Sequence, residues 1–212
     1  MNRRQFVRYS AATLPFGVAG CTGDGSGGTA TPAGTSTSSR STPSETPSPT
    51  ATTTDPLSLT SPAFADGATI PTRFTCAGEN VSPRLDVRGV PEDATSLALV
   101  VDDPDAPTDE PFVHWLLWNV PADRRTIPEG VPQGDVVDAL DGARQGENSA
   151  GEVGYVGPCP PTEDGAHTYR FDLAALDTTL DVEAGATRST LESAMAGHVL
   201  AETRLIGEFD RN

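Results

Sequence analysis

The sequence predicts an all-β protein, a β-sandwich with a minor helical part near the C-terminus. Short apolar runs, many of them β-branched, recur at roughly 10-residue spacing in the second part of the 212-residue chain. Clusters of Gly, Pro, Asn and Asp separate these runs, as in turns between short strands. Only one segment, Thr190–Leu200, convincingly places apolar residues at helical spacing. Many short strands with so little helix argue for a β-sandwich.

Five strands are expected in the first half of this region, each bounded by turn-forming residues. The first alternates apolar and polar residues, and the third follows a Ser-Pro pair. The last two are longer apolar runs, but Pro and Asp clusters interrupt them too soon for helices. In chain order the five strands are Leu57–Leu59, Ile70–Thr75, Arg84–Val87, Ser96–Val101 and Phe112–Val120.

The second half is expected to be more irregular. Pro121–Gly134 is loop-like, and Gln145–Pro161 contains too many Gly and Pro residues for regular structure over its length. Thr168–Leu176 alternates as a strand, and Thr203–Phe209 closes the chain with another. On the predicted helix, residues at helical spacing form one face, where His198 is expected to be structural. That face consists of Leu191, Ala194, Met195, His198 and Val199.

The N-terminal residues 1–21 are expected to direct export. Asn2–Val7 contains the paired arginines of a twin-arginine signal, and a short apolar run follows at Ala11–Gly20. The run leads into Val18–Cys21, which resembles the lipobox of secreted lipoproteins, where the cysteine is acylated and becomes the mature N-terminus. An ordinary signal peptide or a membrane span are the alternatives, but the run is far shorter than the roughly 20 residues that a span needs.

A low-complexity segment separates this signal from the folded part of the chain. Residues 22–54 consist almost entirely of Thr, Ser, Pro and Gly and cannot bury a core, so we expect a disordered tether. Residues 55–212 then form one domain. The predicted location is the outer face of the cytoplasmic membrane, where the lipid on Cys21 anchors the protein.

The chain is strongly acidic, with 14 basic and 30 acidic residues and a net charge of −16. Residues 1–54 hold four of the arginines and two of the acids, so the domain carries 10 Arg, 28 acids and a net charge of −18. This field repels nucleic acid and anionic membranes, which leaves the lipid anchor as the expected membrane contact. Such a surface suits a halophilic protein, because high salt screens the self-repulsion.

Polar side chains flank the loop between the two longest apolar runs. Asp103 and Asp105 follow the first run, and His114 lies within the second. Pro104 and Pro107 stiffen the loop, because proline fixes φ. We therefore expect a small polar pocket, although a satisfied core histidine is the alternative for His114. Proline interrupts the ligand spacing of a calcium loop, so no metal is expected, and no other cofactor.

Several separate motifs follow one another along the domain. They are Cys-x-Gly-x-Asn-x-Ser-Pro at 76–83, Asp-Pro-Asp-Ala-Pro at 103–107, His114 with Asn119, a Gly-Pro loop at 154–161, His-x-Tyr at 167–169 and Gly-His-x-Leu-Ala at 197–201. In kind and order they resemble the phosphatidylethanolamine-binding protein (PEBP) family, in particular its bacterial and archaeal Raf kinase inhibitor-like branch. Each motif alone is weak, but the ordered set covers essentially the whole domain and is specific.

The resemblance implies a two-sheet antiparallel β-sandwich with a small anion-binding cavity near one end. The implied ligand is a small anion, such as phosphate, or a phospholipid head group. Residues 157–161 are expected to form the rim of the cavity. Carried over by position, the ligand-binding residues are Asp103, Asp105, His114, Gly157, Pro158, His167 and Tyr169.

The chemistry of these residues suits such a ligand. His114 and His167 are expected to donate hydrogen bonds to anionic oxygens, more strongly if neighbouring carboxylates protonate them. Backbone N–H groups around Gly157 are expected to form a small anion nest. Asp103 and Asp105 either receive the amine of an ethanolamine or hold the imidazoles in the required tautomer.

Two further expectations concern the cysteines and the reaction class. If Cys21 is lipidated, Cys76 and Cys159 remain, and we expect a disulfide between them, with two buried free thiols as the alternative. The sequence shows no Gly-x-Ser-x-Gly elbow and no evident Cys–His nucleophile, so a non-enzymatic binding module is favoured, one that inhibits or regulates another protein. A phosphoesterase that uses the Asp/His pocket is the enzymatic alternative.

Overall fold

A computed structural model describes residues 55–211 of the chain. The predicted export signal, the lipidated Cys21 and the tether at 22–54 lie outside the described residues. None of the helices within residues 55–211 is long and apolar enough to cross a membrane.

The described residues form ten strands, one α-helix and two short 3-10 helices. The 3-10 helices are Thr72–Phe74 and Asp138–Leu140. In chain order the strands and the helix are β1 Ser58–Thr60, β2 Ala68–Thr69, β3 Leu85–Arg88, β4 Ser96–Asp103, β5 Phe112–Pro121, β6 Thr126–Ile127, β7 Val136–Val137, β8 Ala143–Gln145, β9 His167–Leu176, α1 Arg188–Met195 and β10 Val199–Phe209.

The strands form two sheets. A three-stranded sheet has the order β1-β3-β6, and a seven-stranded sheet has the order β2-β10-β9-β4-β5-β8-β7. All strand pairs are antiparallel except β2 with β10, which is parallel. The predicted fold class, an all-β two-sheet sandwich with one short helix near the C-terminus, is confirmed.

The central strand β4 is buried on both faces, which explains why its sequence is continuously apolar rather than alternating. Leu97, Leu99 and Val101 belong to the core cluster that also contains residues of the smaller sheet. Ala98 and Val100 belong to a second cluster, which includes residues of α1 and of the segment before it. Successive side chains of a strand point to opposite faces, and this alternation separates the two aspartates that end β4.

The predicted strand Ile70–Thr75 is wrong. Strand β2 ends at Thr69, and the chain then turns into the 3-10 helix Thr72–Phe74. The amide of Thr75 donates to the carbonyl of Thr72 at 3.0 Å, and its hydroxyl donates to the same oxygen at 2.9 Å. Threonine hydroxyls compete in this way with strand hydrogen bonds, so β-branching alone gave the wrong prediction.

The predicted helix Thr190–Leu200 begins two residues too late and extends too far. Helix α1 spans Arg188–Met195, and Gly197 then adopts φ of 85°, a left-handed conformation that commonly ends helices. His198 therefore lies beyond the helix rather than on its face. It is exposed, and its ring pairs with Asp177 Oδ1 at 2.8 Å.

Candidate functional site

The polar residues predicted to line a pocket meet at one end of the larger sheet. Strand β4 ends at Asp103, where the antiparallel neighbour β9 begins with His167. His167 and Tyr169 alternate onto the face of β9 that carries the core residue Phe171. His114 comes from β5, on the other side of β4. Three neighbouring strands thus bring four of the predicted residues together.

A β-bulge places His114 in this group. Val101 of β4 pairs with Trp115, but the next residue, Asp102, pairs with Val113. His114 is therefore the extra residue between two regular pairs. Bulges reorient a side chain locally and occur frequently near functional sites. An alternating sequence pattern could not have revealed this one.

The His114 ring is held in one tautomer. Its Nδ1 lies 2.7 Å from the carbonyl oxygen of Val156, and a carbonyl only accepts, so Nδ1 carries the hydrogen. Phe112 and Tyr169 pack against the ring, with centroid distances of 4.9 and 5.2 Å. Nε2 has no hydrogen-bond partner within the described part of the chain.

Burial lowers the pKa of His114 and outweighs three opposing influences. These are the hydrogen bond to Val156 and the negative charges of Asp103 and Asp102; the neighbouring His167 lowers the pKa further. Protonation of this histidine by the carboxylates, the condition for stronger donation, is therefore disfavoured in the free protein. The neutral ring presents a lone pair at Nε2, which accepts a hydrogen bond and cannot donate one.

His167 and Asp103 form a buried pair. His167 Nδ1 lies 2.8 Å from Asp103 Oδ2, and each side chain is at most 5% exposed. Asp103 Oδ1 accepts the backbone N–H of Asp105 at 2.8 Å. Both carboxylate oxygens are thus engaged, and the geometry agrees with the tautomer-holding role considered for Asp103.

Asp105 lies on the rim of the cluster. Its side chain is exposed, and Oδ2 accepts the backbone N–H of Thr168 at 2.8 Å, which ties the loop after β4 to the start of β9. Asp164, which the sequence analysis did not single out, lies 3.9 Å from Nε2 of His167. Two exposed carboxylates, Asp105 and Asp164, therefore lie beside the buried cluster.

Tyr169 has an unusual hydroxyl. The residue is fully buried, yet its hydroxyl oxygen has no hydrogen-bond partner among the described residues. Burial raises the pKa of Tyr169, and the Asp103 carboxylate adds to the effect through its charge and through a weak contact with the hydroxyl that lies outside ordinary hydrogen-bond geometry, so the hydroxyl stays protonated. Because a buried unpaired donor is costly, this hydroxyl is available to a ligand.

The Gly157–Pro158 segment of the predicted rim is hydrogen-bonded to the loop that contains Cys76 and Asn80, so it does not supply free donors there. The Gly157 N–H donates to Asn80 Oδ1 at 2.7 Å, so the anion nest expected there is wrong for this amide. A Cβ on Gly157 would lie 2.4 Å from the Phe74 carbonyl oxygen, so only glycine fits. The Pro158 carbonyl accepts the N–H of Cys76 at 3.1 Å.

A disulfide joins the same two loops. Cys76 and Cys159 are 83 residues apart in sequence, and their Cα atoms lie 5.4 Å apart across the bond. Crosslinks that close loops of this length typically add about 2–4 kcal/mol of stability. The bond holds the segment whose Val156 carbonyl orients His114.

Sequence reasoning missed two other contributors to the site, Val156 and Phe112, and assigned no role to the motif residue Asn119. Val156 contributes through its backbone carbonyl, which leaves no signal in the sequence. Phe112 lies two residues before His114 in the same strand, and this spacing could have indicated it. Asn119 exchanges two hydrogen bonds with the backbone of Leu180, at 2.8 and 2.9 Å. Its φ of 58° marks a second irregularity of β5, so this motif residue is structural.

Among residues 55–211, no group of three or more His, Cys, Asp or Glu side chains is arranged to hold a metal ion. The cluster instead offers a buried hydroxyl donor, an imidazole acceptor and a histidine–carboxylate pair. A β-sandwich that carries such a cluster at one end of its larger sheet is a binding-protein fold.

Comparison with protein-family models matches residues 60–210 to the family described as phosphatidylethanolamine-binding protein. The chain belongs to this family, and the resemblance inferred from its motifs is confirmed. It is 49% identical over 155 residues to a UPF0098 protein of Methanothermobacter thermautotrophicus, which covers 73% of this chain and 99% of the relative. A UPF0098 protein of Pyrococcus abyssi is 44% identical over 151 residues, covering 71% and 84%.

Two solved structures share the fold. Escherichia coli YbcL, described as a new member of the mammalian PEBP family, has a TM-score of 0.69 at 31% identity. The PEBP homologue CT736 of Chlamydia trachomatis has a TM-score of 0.67 at 38% identity. Each similarity covers 74% of this chain and 99% of the solved chain.

Proposed function

We propose that the domain is a binding module for a small phosphate-bearing ligand, such as a free phosphate monoester or a phospholipid head group. The observation that carries the proposal is the fully buried hydroxyl of Tyr169, which, like Nε2 of the adjacent His114 ring, has no hydrogen-bond partner of ordinary geometry among residues 55–211. A ligand with both an acceptor oxygen and a hydrogen to donate would satisfy both groups. Membership of a family named for phosphatidylethanolamine binding supports this ligand class.

The charge around the cluster favours a zwitterion over a bare anion. Asp103 is buried against His167, while Asp105 and Asp164 are exposed beside the cluster. These carboxylates repel a free dianion but attract an ammonium group attached to it. We infer that phosphoethanolamine-like head groups bind more tightly than inorganic phosphate.

The ligand proposal is tested by calorimetric titration of the purified chain at high salt. Phosphate, phosphoethanolamine and short-chain phosphatidylethanolamine serve as ligands. Phosphoethanolamine is expected to bind most tightly, His114→Ala to remove the heat of binding, and Tyr169→Phe to weaken binding about tenfold or more, because a hydrogen bond to a charged group is worth about 1.5–3 kcal/mol. His198→Ala is the matched control, since His198 is exposed and outside the cluster.

Two outcomes would count against the module. Absence of heat with every ligand, under conditions where the protein is folded, would refute the binding site. Turnover of a phosphate monoester would instead support the phosphoesterase alternative. Among residues 55–211, neither His114 nor His167 hydrogen-bonds to a Ser, Thr or Cys side chain, which gives that alternative no positioned nucleophile.

We also propose that the protein is exported by the twin-arginine route and anchored to the outer membrane face through Cys21, where it acts as a regulator or inhibitor of another protein. The support is the sequence at Asn2–Val7 and Val18–Cys21. Cys21→Ser is expected to shift the protein from the membrane fraction to the medium, as measured by immunoblotting of cell fractions. Cys76→Ser is the control cysteine substitution. An unchanged distribution of Cys21→Ser would exclude the lipid anchor.

A further inference from the structure

Strand β10 has an open edge that no other feature of the domain uses. On one side, β10 pairs with β9 from Val199 to Phe209. On its other side, β2 covers only Gly207 and Glu208. Beside Ile206, the turn before β2 takes the place of a strand partner. Between Val199 and Leu205, the outer edge of β10 therefore has no strand partner within the described residues.

The direction of the free backbone groups follows from Ile206. Its carbonyl accepts the N–H of Gly67 at 2.9 Å, and its N–H donates to Asp66 Oδ1 at 2.8 Å, so both groups point away from β9. In an antiparallel sheet every second residue directs its N–H and C=O to the same side. Arg204 and Glu202 therefore direct two donors and two acceptors to the open edge.

We propose that a second copy of the chain pairs with this edge, antiparallel, about a twofold axis through Thr203. This register joins Glu202 to the partner's Arg204 and Arg204 to the partner's Glu202, with backbone hydrogen bonds in both pairs. Opposite charges directly across two strands stabilise the pairing. Shifting the partner by two residues keeps the same backbone groups directed to the edge but places Glu202 against the partner's Glu202. Because like charges then face each other, this register is disfavoured and the side chains select the first alignment.

The limits of the strand fit this pairing. The Asp66–Gly67 turn blocks the edge at Ile206, so the overlap can cover only Ala201–Leu205 of each copy. At the other end, the register of β10 shifts between Val199 and Ala201, and such bulges bend the strand. The incoming strand therefore bends where it would otherwise meet the blocking turn.

The exposed apolar residues of the domain also concentrate here. Three large hydrophobic residues are exposed among those described, Val136, Val199 and Leu200, and the last two begin β10. An open strand edge beside exposed Val and Leu is a pairing surface that monomeric proteins usually protect. Asp172 binds Arg204 through Nε and Nη2, at 2.5 and 2.8 Å, which leaves Nη1 as the nitrogen that a partner's carboxylate would contact.

The high negative charge sets the conditions for assembly. Two copies, each with a net charge of −16, repel one another over long distances in dilute buffer. At about 1 M salt the screening length falls to about 3 Å, which removes this long-range repulsion but leaves backbone hydrogen bonds, apolar contacts and charge pairs in direct contact across the interface. The dimer should therefore form at high salt and dissociate at low salt.

Sedimentation equilibrium of the purified 22.0 kDa chain tests the proposal. We expect a concentration-dependent doubling of the mass at high salt. Glu202→Pro removes an outward N–H that no internal strand uses and is expected to give a monomer. Glu202→Arg should also be monomeric because two arginines would then face each other. Glu183→Arg makes the same charge change at a 94% exposed side chain and should still dimerise.

Charge complementation between two variants is the decisive test of the proposed register. Glu202→Arg chains carry two positive residues at the edge, and Arg204→Glu chains carry two negative ones. Each variant alone is expected to be monomeric, while an equal mixture should form heterodimers of doubled mass. A wild-type chain that stays monomeric at high salt, or a dimer that survives both Glu202 substitutions, would overturn the proposal. Circular dichroism of each variant distinguishes loss of pairing from loss of fold.

Discussion

Replacing Asp102 by alanine is expected to lower the free energy of unfolding by about 3 kcal/mol. Asp102 is fully buried on the face of the larger sheet that α1 covers, and it accepts two hydrogen bonds from Arg170, both 2.7 Å, and one from Arg188 at 2.6 Å. Its removal leaves two guanidinium groups without their shared counter-charge. The expected loss lies at the lower end of that for buried pairs, because the arginine side chains remain 25% and 28% exposed.

The same substitution should loosen helix α1. Helices of eight residues are not stable alone and depend on tertiary contacts. Arg188 is the first residue of α1, and its bond to Asp102 fixes this end, while Leu191 is the buried apolar contact of the helix. Faster amide hydrogen exchange in α1 than in β9 would locate the loss.

The measurement is urea unfolding at high salt, with a surface ion pair as the matched control. Asp172 binds Arg204 in a similar two-bond geometry, but its side chain is 31% exposed and that of Arg204 49%. Exposed pairs are typically worth about 0.2–1 kcal/mol, so Asp172→Ala should cost under about 1 kcal/mol. Equal losses for Asp102→Ala and Asp172→Ala would contradict the assigned role.

The Asp102 network also gives a pH dependence. Burial alone would raise the pKa of Asp102, but hydrogen bonds and charges from Arg170 and Arg188 outweigh it, and the pKa is lowered. The unfolded chain therefore binds a proton at Asp102 before the folded one does. The contribution to stability is present above the ordinary carboxyl pKa of about 3.9 and is lost as the pH falls through the lowered value. Asp102→Ala should remove this part of the acid sensitivity.

Asp102 also shows where sequence reasoning succeeds and where it stops. The run Ser96–Val101 and the Asp-Pro-Asp signature were sufficient to predict a buried strand followed by a polar loop, although the strand extends to Asp103. They did not separate Asp102 from Asp103, because a strand buried on both faces has no alternating pattern to mark them. Opposite faces give these neighbours different partners, arginines for Asp102 and a histidine for Asp103.

The limits at His114 have a different cause. The motif identified the residue, but its protonation depends on burial and on the carbonyl of Val156, 42 residues away. Neither is visible in a local pattern. The motif left open whether the neighbouring carboxylates protonate the imidazole, whereas burial in the fold lowers its pKa and favours the neutral ring. Tertiary burial therefore decides the chemistry that the motif only locates.

This neutral ring leads to the second large effect, on ligand affinity. Binding of a phosphate monoester is expected to weaken as the pH rises above its second pKa of about 6, approaching tenfold for each pH unit and reaching about fiftyfold between pH 6 and 8. The dianion brings only acceptors, and His114 with Nδ1–H bound to Val156 presents only a lone pair. A hydrogen bond between Nε2 of His114 and a phosphate oxygen therefore requires one additional proton, on either His114 or the phosphate. Uptake of that proton becomes less favourable as the pH rises.

Titration calorimetry in buffers of different ionisation enthalpy measures the proton uptake directly, and about one proton per site is expected above pH 6. Asp103, His167 and Tyr169 also face the ring, so a variant must isolate its contribution. His114→Gln retains an N–H donor but does not titrate, and its affinity should be nearly constant over the same range. A slope that persists in His114→Gln would contradict the role of the His114 ring in the proton uptake.

Phosphate monoesters and diesters are expected to differ in how their affinity depends on pH, because only the monoester takes up a proton on its phosphate in this range. A monoester gains its own proton below pH 6, so its affinity should level off there, because the phosphate O–H can donate to Nε2 of neutral His114. A phosphodiester head group never acquires that proton, and its affinity should keep rising until the pH reaches the lowered pKa of His114. Equal affinity at pH 6 and pH 8 for both ligand types would contradict the neutral imidazole as the recognition group.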